Sequence, residues 1–243
     1  MKSARRVGPV PAYVLHQLAY RDSGRIVELL TREHGRLSVF AHGVRRAKSG
    51  LAAALQPFQR LLVSWSGRGE APTLTGAELD MAGGRLPAAQ FMSACYLNEL
   101  ILKLTTRHDG HPELFDLYEE TLGSLADAAG ATRGLRLFEK RLLDIVGFGL
   151  ALTVTSDGHK PLDASARYHF RPQVGAIEAA AGAGGRLYSG ATLLALGAET
   201  IRDAAQLSEV KPLLREALEA CLEGRSLRTR EVATAMRRKQ SGG

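Results

Sequence analysis

Short segments in which apolar and polar residues alternate make up most of the first 80 residues of the chain. In one of them, Leu37, Val39 and Ala41 fall on one side and polar residues fall on the other. Turn-forming sequences rich in Gly, Asp and Ser separate several of these segments. The pattern predicts five short β-strands with no long helix between them, at residues 12–18, 25–31, 35–42, 60–65 and 73–79.

From Pro87 onward, apolar residues recur every three or four positions, which is the period of an α-helix. Thr132 and Gly147 are suited to cap one of the resulting helices at its two ends. Residues 150–189 are rich in Gly, Ala and Asp, and they predict loops with short strands such as Arg167–Phe170 and Ala176–Glu178. The predicted helices span residues 87–104, 112–129, 132–146, 192–196, 210–222 and 229–238.

The two patterns together predict an α+β fold. A five-stranded OB-type β-barrel (residues 1–82) is followed by a mainly helical domain (residues 83–243), with a short irregular or β insertion at about 150–189. An SH3-like barrel fits the strand pattern almost as well. The length of the chain allows one or two domains with a sizeable core.

Basic residues are concentrated at the two ends of the chain, whose net charge is +7. Residues 1–70 contain 12 Lys and Arg against 4 Asp and Glu, residues 71–224 contain 14 against 20, and residues 225–243 contain 6 against 1. Most of these cations are Arg, which pairs with phosphate and stacks on bases. Two basic regions that flank an acidic middle favour an anionic polymer as partner, although a solvated basic face would have the same composition.

A strongly basic segment directly follows the third predicted strand. Arg45, Arg46 and Lys48 have no acidic residue among them, and a cationic loop at the end of a strand suits a phosphate backbone. Three further arginines flank the same strands and turns. The cations near the C-terminus, from Arg225 to Lys239, form a second candidate surface, although they would also suit the negative end of a helix dipole. We predict nucleic-acid contacts by Arg45, Arg46, Lys48, Arg36, Arg25, Arg68, Arg228, Arg230, Arg237 and Arg238.

Aromatic residues are only 6% of the chain, so charge rather than base stacking should supply most of the affinity for a polyanion. Those near the basic segment are Tyr13, Phe40, Phe58 and Trp65. Phe58 and Trp65 follow apolar strand patterns, so we expect them to fill the barrel core.

No motif for catalysis is recognisable. The chain lacks GxSxG, Walker-type GxxxxGK[ST], HExxH and strand-associated GxGxxG sequences, so we expect no enzymatic activity and no cofactor. Asn98 and Glu99 lie beside apolar helix positions, and we expect buried polar contacts to the barrel from them.

Two further features concern the cellular compartment. Cys95 and Cys221 lie far apart in helical patterns, so we expect buried thiols in a cytosolic protein and no CxxC zinc site. No apolar run approaches ~18 residues, so no membrane-spanning helix is expected.

Several short sequences follow one another in a specific order: GRLSVFAHGVRRAKS (35–49), ALQPF (54–58), SGRGE (66–70), YLNELILKL (96–104), RLFEKRLLDIVGFG (136–149) and GRSLRTRE (224–231). Their order and spacing resemble the bacterial DNA repair family RecO over nearly the whole chain. The resemblance implies an N-terminal OB barrel, a helical body and no catalytic chemistry. It also implies a recombination mediator of the RecF pathway that binds single- and double-stranded DNA and anneals complementary strands. With RecR, such proteins help RecA replace the single-strand-binding protein.

The resemblance also implies a site for the acidic, Phe-ended C-terminal tail of single-strand-binding protein. Such a tail needs an apolar slot for its ring and Arg or Lys for its carboxylates. Both candidates for the apolar slot would equally suit the core face of an amphipathic helix. The candidates are Arg136, Arg133, Lys140 and Arg107 for the cationic clamp, with Arg136 first, and Phe138 and Leu142 for the slot.

One segment departs from the family pattern. Some RecO proteins carry a four-cysteine zinc module at the position of about 150–180, where this chain has no cysteine. His159 and His169, with Asp157 and Asp163, do not have the spacing of a standard metal site. We predict that the chain holds no zinc. We also predict a monomer, because no long heptad seam appears.

Three other functions are compatible with the residues. An OB-type RNA-binding or ribosome-associated factor would make the same phosphate contacts. A small basic hydrolase would use His159, Asp157 and His169, and a structural scaffold would bind no nucleic acid at low salt. Competition between DNA and RNA oligomers of equal length distinguishes the first of these from a DNA-binding protein.

Overall fold

The computed structural model describes residues 6–20, 24–43, 51–80, 86–158, 160–180, 182 and 184–241. The chain divides into two compact units. The barrel unit comprises Met1–Ala126 with Leu227–Gly243, and the helical unit comprises Asp127–Ser226. The domain boundary at residues 82 and 83 stays a prediction, because compactness groups two helices and the C-terminal segment with the strands.

Five β-strands form the centre of the barrel unit. They pair in the order β1-β2-β3-β5-β4, and β4 also pairs with β1, which closes the sheet into a barrel. The pairs are antiparallel except for a parallel contact between Phe40 of β3 and Thr73 of β5. The predicted α+β fold with an OB-like N-terminal sheet is therefore confirmed. The strands are β1 (Arg6–Tyr20), β2 (Gly24–Thr31), β3 (Gly35–Ala41), β4 (Arg60–Ser66) and β5 (Thr73–Leu79).

The first strand is longer than its sequence pattern indicates. It was expected at residues 12–18, yet it runs from Arg6 to Tyr20 because its first half pairs with β4 and its second half with β2. The register shifts twice, between Val7 and Val10 and between Val14 and His16, so alternation is interrupted along it. The other four strands lie within one residue of the predicted positions.

The barrel core contains the apolar face that the alternation of β3 predicted. Leu37, Val39 and Ala41 are buried in it, and Trp65 lies there as expected. A short helix that the sequence pattern did not show, α1 (Leu51–Ala54), leads directly into Leu55, which is fully buried in the same core. Buried side chains thus fill the interior of the barrel.

Three longer helices complete the barrel unit: α2 (Phe91–Leu104), which follows a 3₁₀ turn at Ala88–Gln90, α3 (Pro112–Leu125) and α7 (Arg228–Ser241). Asn98 of α2 is buried and joins the helix to β1. Its amide nitrogen donates to the carbonyl of Leu15 at 2.9 Å, and its oxygen accepts from the hydroxyl of Tyr118 at 2.5 Å. Asn98 therefore makes the predicted buried contact to the barrel, at the second register shift of β1.

The helical unit contains α4 (Ala128–Ile145), α5 (Gly190–Gly197), α6 (Ala204–Leu222) and a small sheet of β6 (Arg167–Arg171), β7 (Gly175–Glu178) and β8 (Tyr188–Ser189) in the order β7-β6-β8. Thr132 is not an N-cap, because α4 already begins four residues earlier. Gly147 ends the helix as predicted, with a left-handed φ of 82° and a hydrogen bond from its N–H to the carbonyl of Asp144.

Helix α6 begins at Ala204 rather than at the predicted Val210. Asp203 caps it, since its carboxylate accepts from the N–H of Ala205 at 2.8 Å. Pro212 lies inside the helix, where it breaks the sequence signal for a continuous helix. The first turns of α6, which the sequence pattern did not predict, carry residues that line a cavity.

Candidate nucleic-acid interface

The outer face of β3 carries a buried charge network. Glu28 of β2 lies opposite Ser38, whose hydroxyl donates to it at 2.6 Å. Arg36 Nη1 donates to the same carboxylate at 2.9 Å, and Arg107 Nε donates at 2.8 Å. Burial opposes ionisation of Glu28, but the hydrogen bonds from Arg107 and Ser38 outweigh it, so its pKa lies below the ordinary value.

The network corrects the prediction for Arg36. This side chain is only 13% exposed, and besides its ion pair with Glu28 it donates from Nη2 to the carbonyl of Thr105 at 2.6 Å. Its guanidinium is committed to internal partners, so Arg36 is not free to contact a phosphate in this structure. Arg107, a weaker candidate for the tail clamp, is committed to Glu28 as well.

The segment that supplies Arg107 packs closely against the hairpin of β2 and β3. Gly35 has a left-handed φ of 61°, and a Cβ there would lie 1.8 Å from the carbonyl oxygen of Asp109. The N–H of His108 donates to the carbonyl of Arg36 at 2.7 Å. Only glycine fits at position 35, and its absent side chain lets the loop between α2 and α3 hold the network in place.

On the outer face of the barrel, the ring of Phe40 contacts two other rings. Phe40 comes shortly before the basic segment in the chain. The ring of Phe40 lies 4.9 Å from that of Tyr20 and 4.4 Å from that of His42, in edge-on arrangements. Gly24 leaves space for Phe40, since a Cβ there would lie 3.3 Å from Phe40 Cζ. Leu18 on the same face is 58% exposed. We call Leu18, Tyr20, Phe40 and His42 the aromatic face, and solvent-facing rings of this kind can stack on bases.

Only Phe40 of the aromatic face was named among the aromatics near the basic segment. Tyr20 and Leu18 were missed because simple alternation from the buried Val14 would point both into the core. The second register shift of β1, between Val14 and His16, reverses the alternation and places both on the outer face. Tyr13 is buried against Phe115 and donates its hydroxyl to Glu119 at 2.9 Å. It is therefore not available to a base.

The remaining predicted cations of the barrel differ in their surroundings. Arg45, Arg46 and Lys48 lie outside the described residues, and their role stays a prediction. Arg25 is half-buried and donates from Nη1 to the amide oxygen of Gln17 at 2.6 Å. Arg68 is exposed in the turn between β4 and β5.

Helix α7 holds the C-terminal candidates. Arg228 and Arg238 are exposed, and the side chain of Arg237 lies outside what the structure describes. Arg230 is half-buried: its Nη2 donates to the hydroxyl of Tyr96 at 3.0 Å, and its guanidinium lies 5.5 Å from the centre of that ring. Arg230 therefore helps to fix α7 on α2, whereas Arg228 and Arg238 face solvent.

Glu99 of α2 caps the start of α7. Its carboxylate accepts from the backbone N–H groups of Arg228 at 2.8 Å and Thr229 at 2.9 Å, and from the Thr229 hydroxyl at 2.7 Å. Burial raises the pKa of Glu99, but the hydrogen bonds from Thr229 and Arg228 outweigh it and leave the pKa lowered. The polar contact predicted for Glu99 is thus made to α7, and the ionised carboxylate suits the positive end of the helix dipole.

A cavity of about 490 Å³ lies between α4 and α6 in the helical unit. Leu135 and Leu207 form apolar parts of its lining, and Arg136, Arg202 and Lys211 place three cations around it. Arg136 is 9% exposed, pairs with Glu139 at 2.8 Å, and has no hydrogen-bond partner for Nε among the described residues. An apolar slot with a cationic lining suits a carboxylate-bearing peptide with an apolar side chain.

Two of the predicted clamp cations have other partners. Lys140 pairs with Asp144 at 2.9 Å and with Glu199 at 3.0 Å. Arg133 donates to the backbone carbonyls of Glu199 and Ile201, both at 2.8 Å. These side chains hold the loop before α6, so among the predicted clamp residues of α4 only Arg136 lines the cavity.

The apolar lining of the cavity comes from residues other than those predicted. Phe138 and Leu142 are fully buried core residues and do not line the cavity. Leu135 takes this role on α4, and Leu207 with Lys211 takes it on α6. Leu207 was missed because the sequence pattern places the start of that helix at Val210, and Lys211, although inside the predicted helix, was not named; the spacing of four between Leu207 and Lys211 was the available signal.

Within the described ranges, no group of three or more His, Cys, Asp or Glu side chains could hold a metal ion. Asp163 accepts from the N–H and hydroxyl of Ser165, at 2.8 and 2.7 Å, and so organises a turn. His159 lies outside the described residues. The absence of zinc stays a prediction, which elemental analysis of the purified protein tests. None of the described helices has both the length and the apolar character needed to cross a membrane.

Most of the chain matches one protein family. Residues 9–80 match the family Recombination protein O N terminal, and residues 89–231 match Recombination protein O C terminal. A DNA repair protein RecO of Methylococcus capsulatus is 40% identical over 91% of this chain and 90% of its own length. Those of Thiobacillus denitrificans and Halorhodospira halophila are 38% and 40% identical, over 96% and 93% of this chain and 93% and 97% of their own lengths. With this similarity over both sequence regions, the chain belongs to the RecO family, and this membership supports a role in DNA repair and recombination.

Proposed function

We propose that this chain is a recombination mediator without catalytic activity of its own. It binds single- and double-stranded DNA through the barrel unit and anneals complementary strands. With RecR it helps RecA to replace single-strand-binding protein, whose acidic tail it holds through the helical unit. It acts in the cytoplasm, at the nucleoid, and the free energy for strand pairing comes from the base pairs formed.

The observation that carries the DNA-binding part is the aromatic face. Tyr20 of β1, Phe40 of β3 and His42 lie on the outer face of the barrel, and β3 is followed closely in the chain by the basic segment 44–50. Rings that stack on bases and cations that neutralise phosphates are the two elements of single-strand binding by OB-like domains. The exposed Arg228 and Arg238 of α7 add positive charge in the same unit.

The cavity between α4 and α6 supports the tail-binding part. It combines the buried Arg136 with the exposed Arg202 and Lys211 around two leucines. Since Arg136 Nε has no protein partner among the described residues, a carboxylate that reaches it would satisfy a buried donor.

An annealing assay tests the proposal. Complementary fluorescent oligonucleotides are mixed with the protein, with and without single-strand-binding protein and in the absence of nucleotide. We expect faster pairing in both cases, and no acceleration with either would refute a mediator role. Phe40→Ala should slow annealing, whereas Phe148→Ala, which removes an exposed ring of the helical unit, should not.

The salt dependence of binding measures the charge contribution. If roughly five phosphates of a single strand are neutralised, log Kd should change with log salt with a slope of about 3 to 4, or roughly two decades between 50 and 200 mM. A flat response would contradict binding through the cations. Equal affinity for DNA and RNA oligomers, or a preference for RNA, would favour an RNA-binding factor instead.

A further inference from the structure

A groove of about 600 Å³ crosses the surface of the barrel unit, apart from the aromatic face described above. Its walls come from β1, from the segment after α1, from α2 and from the first residues of α7. Its size lies within the roughly 300–1,000 Å³ of small-molecule sites. The lining is mainly apolar and includes Leu15, Pro57, Phe58, Phe91 and Leu102.

Phe91 is the most unusual residue of this groove. It is the first residue of α2, it is 50% exposed, and its ring packs edge-on against Phe58 at 5.4 Å. Phe58 itself adopts a left-handed φ of 65°, which is rare for a bulky residue and is found at sites that need a defined side-chain position. Because Phe58 is buried, it supports Phe91 from below and leaves ring surface of Phe91 open to solvent.

The charge at the groove favours an anionic occupant. Lys103 and Arg228 line it; Lys103 is paired with Glu99 at 3.9 Å, whereas Arg228 is exposed. Glu99 is the carboxylate in the lining, and its charge already serves the N–H groups at the start of α7. The lining therefore offers positive charge beside an apolar floor.

The two side-chain amides of the lining are engaged within the protein. The amide of Asn98 bonds to β1 and to Tyr118. The amide nitrogen of Gln17 donates to the carbonyl of Leu55, and its oxygen accepts from Arg25. The groove thus offers an occupant stacking and charge, with little capacity to read the hydrogen-bonding edge of a base.

The residues that line the groove are close in the chain to two predicted nucleic-acid surfaces. On one side, residues 57 and 58 follow α1, which itself follows the basic segment 44–50. On the other side, Arg228 begins α7 and its C-terminal cations. A nucleic-acid strand in the groove would lie beside Phe91 and Arg228, and its repeating negative charge suits the cations that follow along α7.

We propose that this groove is a base-stacking site for single-stranded nucleic acid, in which Phe91 stacks on one unpaired base while Arg228 contacts a neighbouring phosphate. The proposal rests on the proposed function, since it adds a second contact for the same ligand. Binding here is independent of base sequence because the amides of the groove are engaged. It excludes duplex DNA, whose bases are stacked on one another and cannot reach the ring.

A tryptophan placed at this position reports occupancy directly. The chain contains one Trp, Trp65, which is buried in the barrel core, so wild-type emission should respond little to a ligand. Phe91→Trp should show emission quenched by a single-stranded oligo(dT) and not by a blunt duplex of equal length. The matched control is Phe148→Trp, because Phe148 is also 50% exposed but belongs to the helical unit, and its emission should not be quenched.

Affinity gives the second readout. Phe91→Ala should weaken single-strand binding by about 5- to 20-fold, at the lower end of the range for one lost stacking contact, and leave duplex binding unchanged. Phe91→Trp should retain wild-type affinity, which separates lost stacking from damage to the fold. The same thermal midpoint for Phe91→Ala and Phe148→Ala confirms that both variants are folded.

The outcomes separate this proposal from the proposed function. If wild type binds single strands but Phe91→Ala binds them equally well, the base-stacking site is refuted and the proposed function stands. The same holds if the emission of the Phe91→Trp variant responds only to an acidic peptide with an apolar end. If wild type binds no DNA even at low salt, the proposed function itself fails.

Discussion

Replacing Glu28 by Gln tests the charge network on the barrel. The side chains of Glu28 and Arg36 are 8% and 13% exposed, so neutralising Glu28 leaves Arg36 buried without its counter-charge. Breaking a buried ion pair by removing one charge costs about 3–5 kcal/mol, and Gln retains one acceptor oxygen for part of the hydrogen bonding. Arg107 is 47% exposed and adds less than ~1 kcal/mol. We expect a loss of about 3 kcal/mol in the free energy of unfolding.

Urea unfolding followed by tryptophan emission measures this loss in the right part of the molecule, because Trp65 is the chain's single Trp and lies in the barrel core. Glu33→Gln is the matched control, since Glu33 is exposed in the turn between β2 and β3. A loss for Glu28→Gln below ~1 kcal/mol, or one equal to that of Glu33→Gln, would refute the argument that the network stabilises the barrel.

We also expect the stability difference between wild type and Glu28→Gln to depend on pH. The pKa of Glu28 is lower in the folded state, because the hydrogen bonds from Arg107 and Ser38 to the carboxylate outweigh the effect of burial. Its contribution is therefore fully present above the ordinary pKa of about 4.5 and is lost as the pH falls through the lower folded value. The stability difference between wild type and Glu28→Gln should be constant from about pH 6 to 8 and should shrink below about pH 4.5. A difference that grows on acidification would contradict the direction of this shift.

Three further predictions concern single contacts. Lys211→Ala and Arg136→Ala should each weaken binding of an acidic, Phe-ended peptide at least ~5-fold by calorimetry, whereas Lys140→Ala should not, because that lysine is already paired. Gly35→Ala should destabilise the barrel by more than ~2 kcal/mol in urea, since its Cβ would meet the Asp109 carbonyl; Gly69→Ala, also at positive φ but in open space, should cost less. Glu99→Gln should speed hydrogen exchange at the start of α7 and leave α3 unchanged, because a capping charge worth ~1 kcal/mol is lost; equal exchange in both proteins would argue against the cap.

The strands were predictable because their alternation reflects burial on one side only. Leu37, Val39 and Ala41 point into the barrel core, and this local pattern is visible in any single strand. Arg36 shows the limit of the same reasoning. It lies on the polar side of β3 as alternation requires, but Glu28 and the loop at Thr105 enclose it, and no local pattern announces a contact with a residue 69 positions away.

In the cavity of the helical unit, too, some lining residues could be predicted from the sequence and others could not. Arg136 could be named from the sequence because it begins a segment that resembles the RecO pattern. Leu207 could not, because the first turns of α6 were hidden by the interior Pro212, and Lys211, although inside the predicted helix, has no local pattern that relates it to α4. Lys140 and Arg133 have the right chemistry, but the packing of the loop at Glu199 gives them other partners.

The cap on α7 joins residues that are far apart in the chain, since Glu99 and Thr229 are separated by 130 positions. During translation, therefore, the barrel and α2 emerge from the ribosome long before the segment that covers one side of them. The entire helical unit must be synthesised while the surface that α7 later contacts, including Tyr96 and Glu99, stands open on the nascent chain. Co-translational maturation of the barrel unit is thus complete only after residues 228 and 229 have left the exit tunnel.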